Sequence, residues 1–147
     1  MKNNKEEMEY KLIVEDKENN IVYKERPDGS KEWNYYDEKG NLIHQKLSSG
    51  FEIQREYDEN GRIIHSIYSD GRRLEQWIEY DEDGNEIHYK TNYGVECWMR
   101  YDKDGNQIYY GNNKGYEWKK QFKDGRMVYY ADSKGREYYY ETEFLNK

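Results

Sequence analysis

The chain has 147 residues, 37% of them charged, with 24 Lys and Arg against 31 Asp and Glu for a formal charge of −7. Its longest aliphatic run is Leu12-Ile13-Val14, far short of the ~20 apolar residues of a membrane-spanning helix. Its basic residues are interleaved with acids rather than clustered as phosphate binding requires, which sets aside direct nucleic-acid ligands.

Glycines punctuate the chain. Eleven of the twelve, at 29, 40, 50, 61, 71, 84, 94, 105, 115, 125 and 135, recur at intervals of 10 to 13 residues, and only Gly111 is off the beat. After an early turn at Asp16 to Asn19, in which Asn replaces Gly, short and long turns alternate. The short turns end at Gly29, Gly50, Gly71 and Gly94. The long ones begin at Asp37, Asp58, Asp81 and Asp102, each with Gly three residues on. Asp accepts backbone hydrogen bonds at the start of such a turn, and Gly takes the left-handed conformation without a Cβ clash.

Between turns lie runs rich in Tyr, Ile, Val and Trp, such as residues 51–57, 73–80 and 95–101, which read as strands. The expectation is an all-β fold: an antiparallel meander of about twelve short strands, built from hairpin repeats of about 21 residues in a strongly twisted or rolled sheet. The predicted organisation is a single β-repeat domain over 1–147. It has a flexible N-terminus at 1–8, hairpins over 9–140 and a C-terminal tail at 141–147.

Leu, Ile, Val and Phe supply only 22 residues, about 15% of the chain and below the rough 20% line associated with disorder. The repeat argues otherwise, because 18 Tyr and 4 Trp supply the buried area that an aliphatic count misses.

Alignment on the long-turn glycines gives columns. Ile43, Ile64, Ile87, Ile108 and Val128 fall three residues after each turn glycine and read as a core stripe. Tyr23, His44, His65, His88, Tyr109 and Tyr129 come next and face the other way. All three histidines lie in that column, but on every second strand, about 9.6 Å apart, so no shared metal site is expected. Trp33, Trp77 and Trp98 precede the turn tyrosines Tyr36, Tyr80 and Tyr101 by three positions. Direct pairing of Asp with Gly across the turn would set these tryptophans opposite His44, His88 and Tyr109. Trp33, His44, His65, Trp77, His88, Trp98 and Tyr109 are therefore the candidate partner-binding belt, since aromatic residues dominate interface hot spots.

No catalytic constellation is legible and no cofactor is expected. Asp81-Glu-Asp83-Gly84-Asn85 places Gly at the fourth position rather than the sixth required of a calcium loop. The single Cys97 alternates with Val95 and Met99 as a core residue would. With one cysteine and no apolar leader at its start, the chain reads as cytoplasmic.

Tyr36-Asp37-x-x-Gly40, Tyr57-Asp58-x-x-Gly61, Tyr80-Asp81-x-x-Gly84 and Tyr101-Asp102-x-x-Gly105 resemble the tyrosine-aspartate (Rhs/YD) repeat over roughly residues 30 to 140. That family's long arrays wind into hollow β-cocoons, which six short units are too few to form. The tyrosine- and tryptophan-rich last third, with Tyr109-Tyr110, Tyr116, Trp118 and Tyr129-Tyr130, is similar to choline- and glucan-binding cell-wall repeats.

Together these readings predict a non-enzymatic, intracellular β-repeat module, monomeric or homodimeric, that binds another protein, with a basic surface as the natural complement to its charge. Inhibitor, immunity and phage antidefence roles all fit that description. The alternative is a glycan- or choline-type binding module that stacks its ligand on aromatic rings.

Overall fold

The computed structural model describes residues 10–140, and the predicted termini at 1–8 and 141–147 lie outside the described residues. Thirteen strands follow one another: β1 (Leu12–Asp16), β2 (Ile21–Glu25), β3 (Lys31–Tyr36), β4 (Leu42–Leu47), β5 (Glu52–Tyr57), β6 (Ile63–Ser69), β7 (Arg73–Tyr80), β8 (Glu86–Thr91), β9 (Glu96–Tyr101), β10 (Gln107–Asn112), β11 (Glu117–Lys123), β12 (Arg126–Asp132) and β13 (Glu137–Tyr139). Their order in the sheet is their order in the chain, and neighbouring strands run antiparallel from the β1–β2 hairpin to the β12–β13 hairpin. The fold is an open all-β meander without a helix among the described residues. By its internal contacts the chain divides into two compact units that meet between Gln76 and Trp77, inside β7.

Each long turn is built by its first residue. In the turn after β3, Asp37 Oδ1 accepts from the backbone N–H of Lys39 at 2.9 Å and of Asn41 at 2.8 Å, while Oδ2 accepts from Asn41 Nδ2 at 2.9 Å. Asp58, Asp81 and Asp102 repeat the arrangement, with Arg62, Asn85 and Asn106 in the place of Asn41. Gly40 closes the turn with a φ of 85°, in the left-handed region that an L-residue enters at a cost.

Just beyond these turns the ladder slips. The register jumps between Tyr35 and Tyr36, passing over Ile43; it also jumps at Glu56/Tyr57, passing over Ile64, and at Gln107/Tyr109, passing over Ile108. The β11–β12 hairpin passes over Val128 in the same way. Ile43, Ile64, Ile108 and Val128 of the β-branched column are therefore bulge residues, one extra residue in each of these hairpins, whereas Val22, which falls at the matching place after Asn19, stays in the ladder between Glu15 and Asn34. Ile43 is exposed and the others are half-buried, which corrects the expectation of a core stripe.

Each unit has a closed and an open face. In the first unit a row runs across Glu15, Val22, Asn34, Gln45, Ile53 and Tyr68. Asn34 and Ile53 of this row are buried, as are Glu32 and Ser66 beside it. In the second unit Cys97 and Thr91 are buried, and Cys97 pairs with Tyr89 and Asn112. Among the described residues, Ile53 and Cys97 are the only hydrophobic side chains that are buried. Half-buried tyrosines supply further cover, as when Tyr57 reaches back to donate to the Leu42 carbonyl at 2.9 Å.

Candidate functional site

The open face carries the predicted belt, in a register other than the one expected. In the turn Asp37 N–H donates to the Asn41 carbonyl while the Asp37 carbonyl accepts from Gly40 N–H, which moves the ladder one residue past a direct Asp37–Gly40 pair, and the bulge adds one further residue. Trp33 therefore stands opposite Lys46, and Tyr35 opposite His44. In the second unit Trp98 pairs with Gly111 on one side and His88 on the other, while Tyr109 pairs with Arg100. A slip of two residues exchanges neighbours but keeps side chains on their faces, so Trp33 and His44 in the first unit, and His88, Trp98 and Tyr109 in the second, each share a side with their pairs changed.

In the first unit, the Trp33 ring lies 5.5 Å from that of Tyr23 and His44 stacks on Tyr35 at 4.9 Å. His44 Nε2 meets Glu52 Oε1 at 2.5 Å, and His65 sits between Glu56 at 3.3 Å and Glu75 at 2.9 Å. In the second unit, His88 lies between Glu79 at 3.1 Å and Glu96 at 3.0 Å and stacks on Trp98 at 5.6 Å with the planes 8° apart. Tyr109 donates to Glu117 at 3.2 Å beneath the Arg100 guanidinium, which lies 4.9 Å from its ring centre. Tyr129 donates to Glu137 at 3.1 Å. Trp77 is exposed in β7 of the same unit.

These contacts share one rule. His44, His65, His88, Tyr109 and Tyr129 each bond a glutamate on the next strand, namely Glu52, Glu75, Glu96, Glu117 and Glu137, and of these sequence reasoning missed Glu52, Glu117 and Glu137. Their signal is the motif Gly-x-Glu closing the short turns, at Gly50-Phe-Glu52, Gly94-Val-Glu96, Gly115-Tyr-Glu117 and Gly135-Arg-Glu137. With Gly at the turn corner, the second residue after it is the first on the open face, where its carboxylate meets the ring across the ladder.

Gly111 also finds its reason here. A Cβ at this position would collide with the Tyr109 hydroxyl, so the residue that breaks the glycine rhythm leaves room for the ring to cross to Glu117.

Burial opposes a charge on His88, but its hydrogen bonds to the Glu79 and Glu96 carboxylates outweigh it and raise the group above its ordinary value of 6.5. A raised folded value contributes stability that is complete below about pH 6.5 and is lost as the pH rises through that folded value. NMR titration of the three histidines should find His88 with a midpoint above 6.5, moving down in Glu79→Gln and again in Glu96→Gln. A midpoint unmoved by either substitution would remove the two glutamates as the cause.

Two grooves mark the open face, one in each unit. The first, of about 260 Å³, is lined by Ile43, His44, Gln54, Arg55, Glu56, His65 and Ile67. The second, of about 630 Å³, uses the equivalent positions 44 residues later, with Ile87, His88, Trp98, Arg100 and Tyr109 joined by Glu79 and Asp81. Trp98 thus replaces Gln54, Arg100 replaces Glu56 and Tyr109 replaces His65, so the second groove is the aromatic version of the first.

Among the described residues no group of three or more His, Cys, Asp or Glu is placed to hold a metal ion. Cys97 is buried, and burial pushes its thiol above the ordinary value, helped by the nearby Glu86 carboxylate, which opposes formation of a nucleophilic thiolate.

Residues 36–73, from the end of β3 into β7, match the family model described as RHS Repeat. They contain two of the four Tyr-Asp-x-x-Gly turns, and over this stretch the chain is similar to the Rhs/YD repeat. No curated protein matches it.

Proposed function

We propose that this Rhs/YD-repeat-like chain is a non-enzymatic, intracellular module that binds another protein through the open face of its hairpins. The observation that carries the reading is the exposure of Trp77 and Trp98, at 37% and 41%, within a lattice of glutamates in the second unit. Large flat rings left half in water, with polar groups fixed around them, have the composition of an interface hot spot and its rim. Glu79, whose side chain is 68% exposed beside His88, and the net charge of −7 favour a partner with a basic surface. Such a module acts by occupying its partner's surface, the mode of action of an inhibitor, immunity or antidefence protein.

The test is affinity capture of partners with the wild-type chain and with the Trp77→Ala/Trp98→Ala double variant. The expected result is a stoichiometric partner whose affinity falls roughly 100-fold or more in the variant, with the far-ultraviolet circular dichroism unchanged. Undiminished capture, or a variant that fails to fold, would overturn the reading.

The 630 Å³ groove favours a second reading. Trp98 and Tyr109 line it together with the polar groups of Glu79 and Arg100, a combination suited to a sugar ring or quaternary amine. Glycan-array or choline binding that is lost in Trp98→Ala, without a protein partner, would support it over the first.

A further inference from the structure

The strongest unexplained feature lies away from the aromatic face, on the first edge of the meander. β1 pairs with β2 over five consecutive residue pairs without a bulge, from Leu12↔Glu25 to Asp16↔Ile21, and among the described residues it has no other neighbour in the strand order. Edge strands are usually blunted by proline, a bulge or a central charge, because their free N–H and C=O groups template further pairing. β1 has none of these devices at its centre: Leu12, Ile13 and Val14 are exposed at 45%, 41% and 49%, and the charges Lys11, Glu15 and Asp16 stand at its ends.

The placement of those charges makes the strand complementary to itself. Antiparallel pairing of two copies about Ile13 sets Lys11 opposite Glu15 of the second copy, twice by symmetry, and Leu12 opposite Val14. Ile13 then lies against its own equivalent. Within the strand the faces agree: Leu12 and Val14 share the side of their partners Glu25 and Tyr23, while Ile13 and Glu15 alternate to the other; Lys11, in the bend just before β1, now reaches Glu25 and takes the side of Ile13 and Glu15 when pairing extends the strand by one residue. Pairing about Val14 instead would place Lys11 on Lys17, Leu12 on Asp16 and Ile13 on Glu15, burying apolar groups against carboxylates. Lys11 can make the exchange, since its present bond to Glu25 is a 3.4 Å contact of a side chain that is 66% exposed, weakly held at such a surface.

We propose that β1 is a self-recognition strand through which two copies of this chain join edge to edge, antiparallel and two-fold symmetric about Ile13. Main-chain hydrogen bonds supply the attraction, the apolar centre and the paired charges fix the register, and the two-fold axis closes the assembly at a dimer. The aromatic face plays no part in this pairing, which stands whether or not that face binds a partner.

Sedimentation equilibrium of the full chain over a range of concentrations tests it. The expected result is a monomer–dimer equilibrium weakened about tenfold by Lys11→Glu or by Glu15→Lys and restored in the double reversal. Under mild oxidation Ile13→Cys should give a disulfide-linked dimer and Val14→Cys far less, since Val14 faces Leu12 rather than its own equivalent. A monomer at every concentration would overturn the proposal, as would assembly indifferent to the reversals or continuing beyond the dimer, which would point to β13.

Discussion

Replacing Asn34 by alanine is expected to destabilise the protein by about 1–3 kcal/mol, the cost of leaving a buried polar partner unsatisfied. Asn34 is 2% exposed. Its Nδ2 donates to Glu32 Oε1 at 2.7 Å, and its Oδ1 accepts from Gln45 Nε2 at 2.9 Å, which also reaches Glu32 at 3.2 Å. The second carboxylate oxygen of Glu32 holds the Tyr10 hydroxyl at 3.3 Å and Arg26 Nη2 at 3.4 Å. Alanine removes the shortest donor to a buried carboxylate and leaves Gln45 without its acceptor on Asn34. Aspartate should be worse, because it sets a second charge beside Glu32 where the first is already buried. Urea unfolding of Asn34→Ala, Asn34→Asp and the Asn34→Ala/Gln45→Ala pair measures both points, with strong coupling expected in the pair. Losses below about 0.5 kcal/mol for both single variants would show that the network is not a source of stability.

Acid is the second lever. The carboxyls of Asp16, Asp37, Asp81 and Asp102 are held below the ordinary value of 3.8 chiefly by the side-chain hydrogen bond of the asparagine that closes each turn. Backbone N–H groups, of Ser30 and Arg62, do most of the same work at Asp28 and Asp58. At Asp132 burial pushes the other way, but the bonds from Arg136 prevail and bring the group down to about 2. For a lowered group the stability is present above the unfolded value and is lost as the pH falls through the folded one. The chain should therefore keep its urea midpoint down to roughly pH 5, lose it progressively from there, and give up the contribution of Asp132 last, near pH 2. Because the same turn is built repeatedly, the losses accumulate. Asp→Asn variants at positions 37, 81 and 102, combined, should flatten the profile. A profile as steep as the wild type's would mean that other carboxylates carry the acid response.

The turns are legible in the sequence because they depend on backbone geometry. Only a residue without Cβ enters the left-handed region cheaply, so glycines at a fixed step expose every corner but the first, where Asn20 takes that conformation, and Asp at the start of the long turns names the residue that satisfies the corner's N–H groups. The faces are legible as well, since strand alternation assigns Trp33, His44, His88 and Trp98 to one side in any register that slips by an even number. The neighbours are not. Whether Asp37 pairs with Gly40 or Asn41, and whether Ile43 stays in the ladder or bulges out of it, turns on hydrogen-bond geometry to which hydrophobic pattern is blind. An isoleucine looks the same in a core and in a bulge. The closed face is hidden for the opposite reason, because Glu32, Asn34 and Ser66 belong to residue types that usually face water and are buried here by their rows across the sheet. The glutamate partners of the histidines leave a trace in Gly-x-Glu, visible only when the short turns are aligned on their glycines together with the first residues of the strands they open.

That strand order equals chain order also sets how the fold fluctuates. Each strand answers only to the one before it and the one after it, at a separation of about ten residues, so no distant segments must find one another and little closure entropy stands in the way of any hairpin. The energetics are those of a zipper, a sum of local terms and neighbour terms. A lesion at the Asp102 turn loosens β9 and β10 and need not open β12 against β13. Protection of the amide protons against exchange is accordingly set hairpin by hairpin, highest where both neighbours are in place and falling toward the strand that has only one.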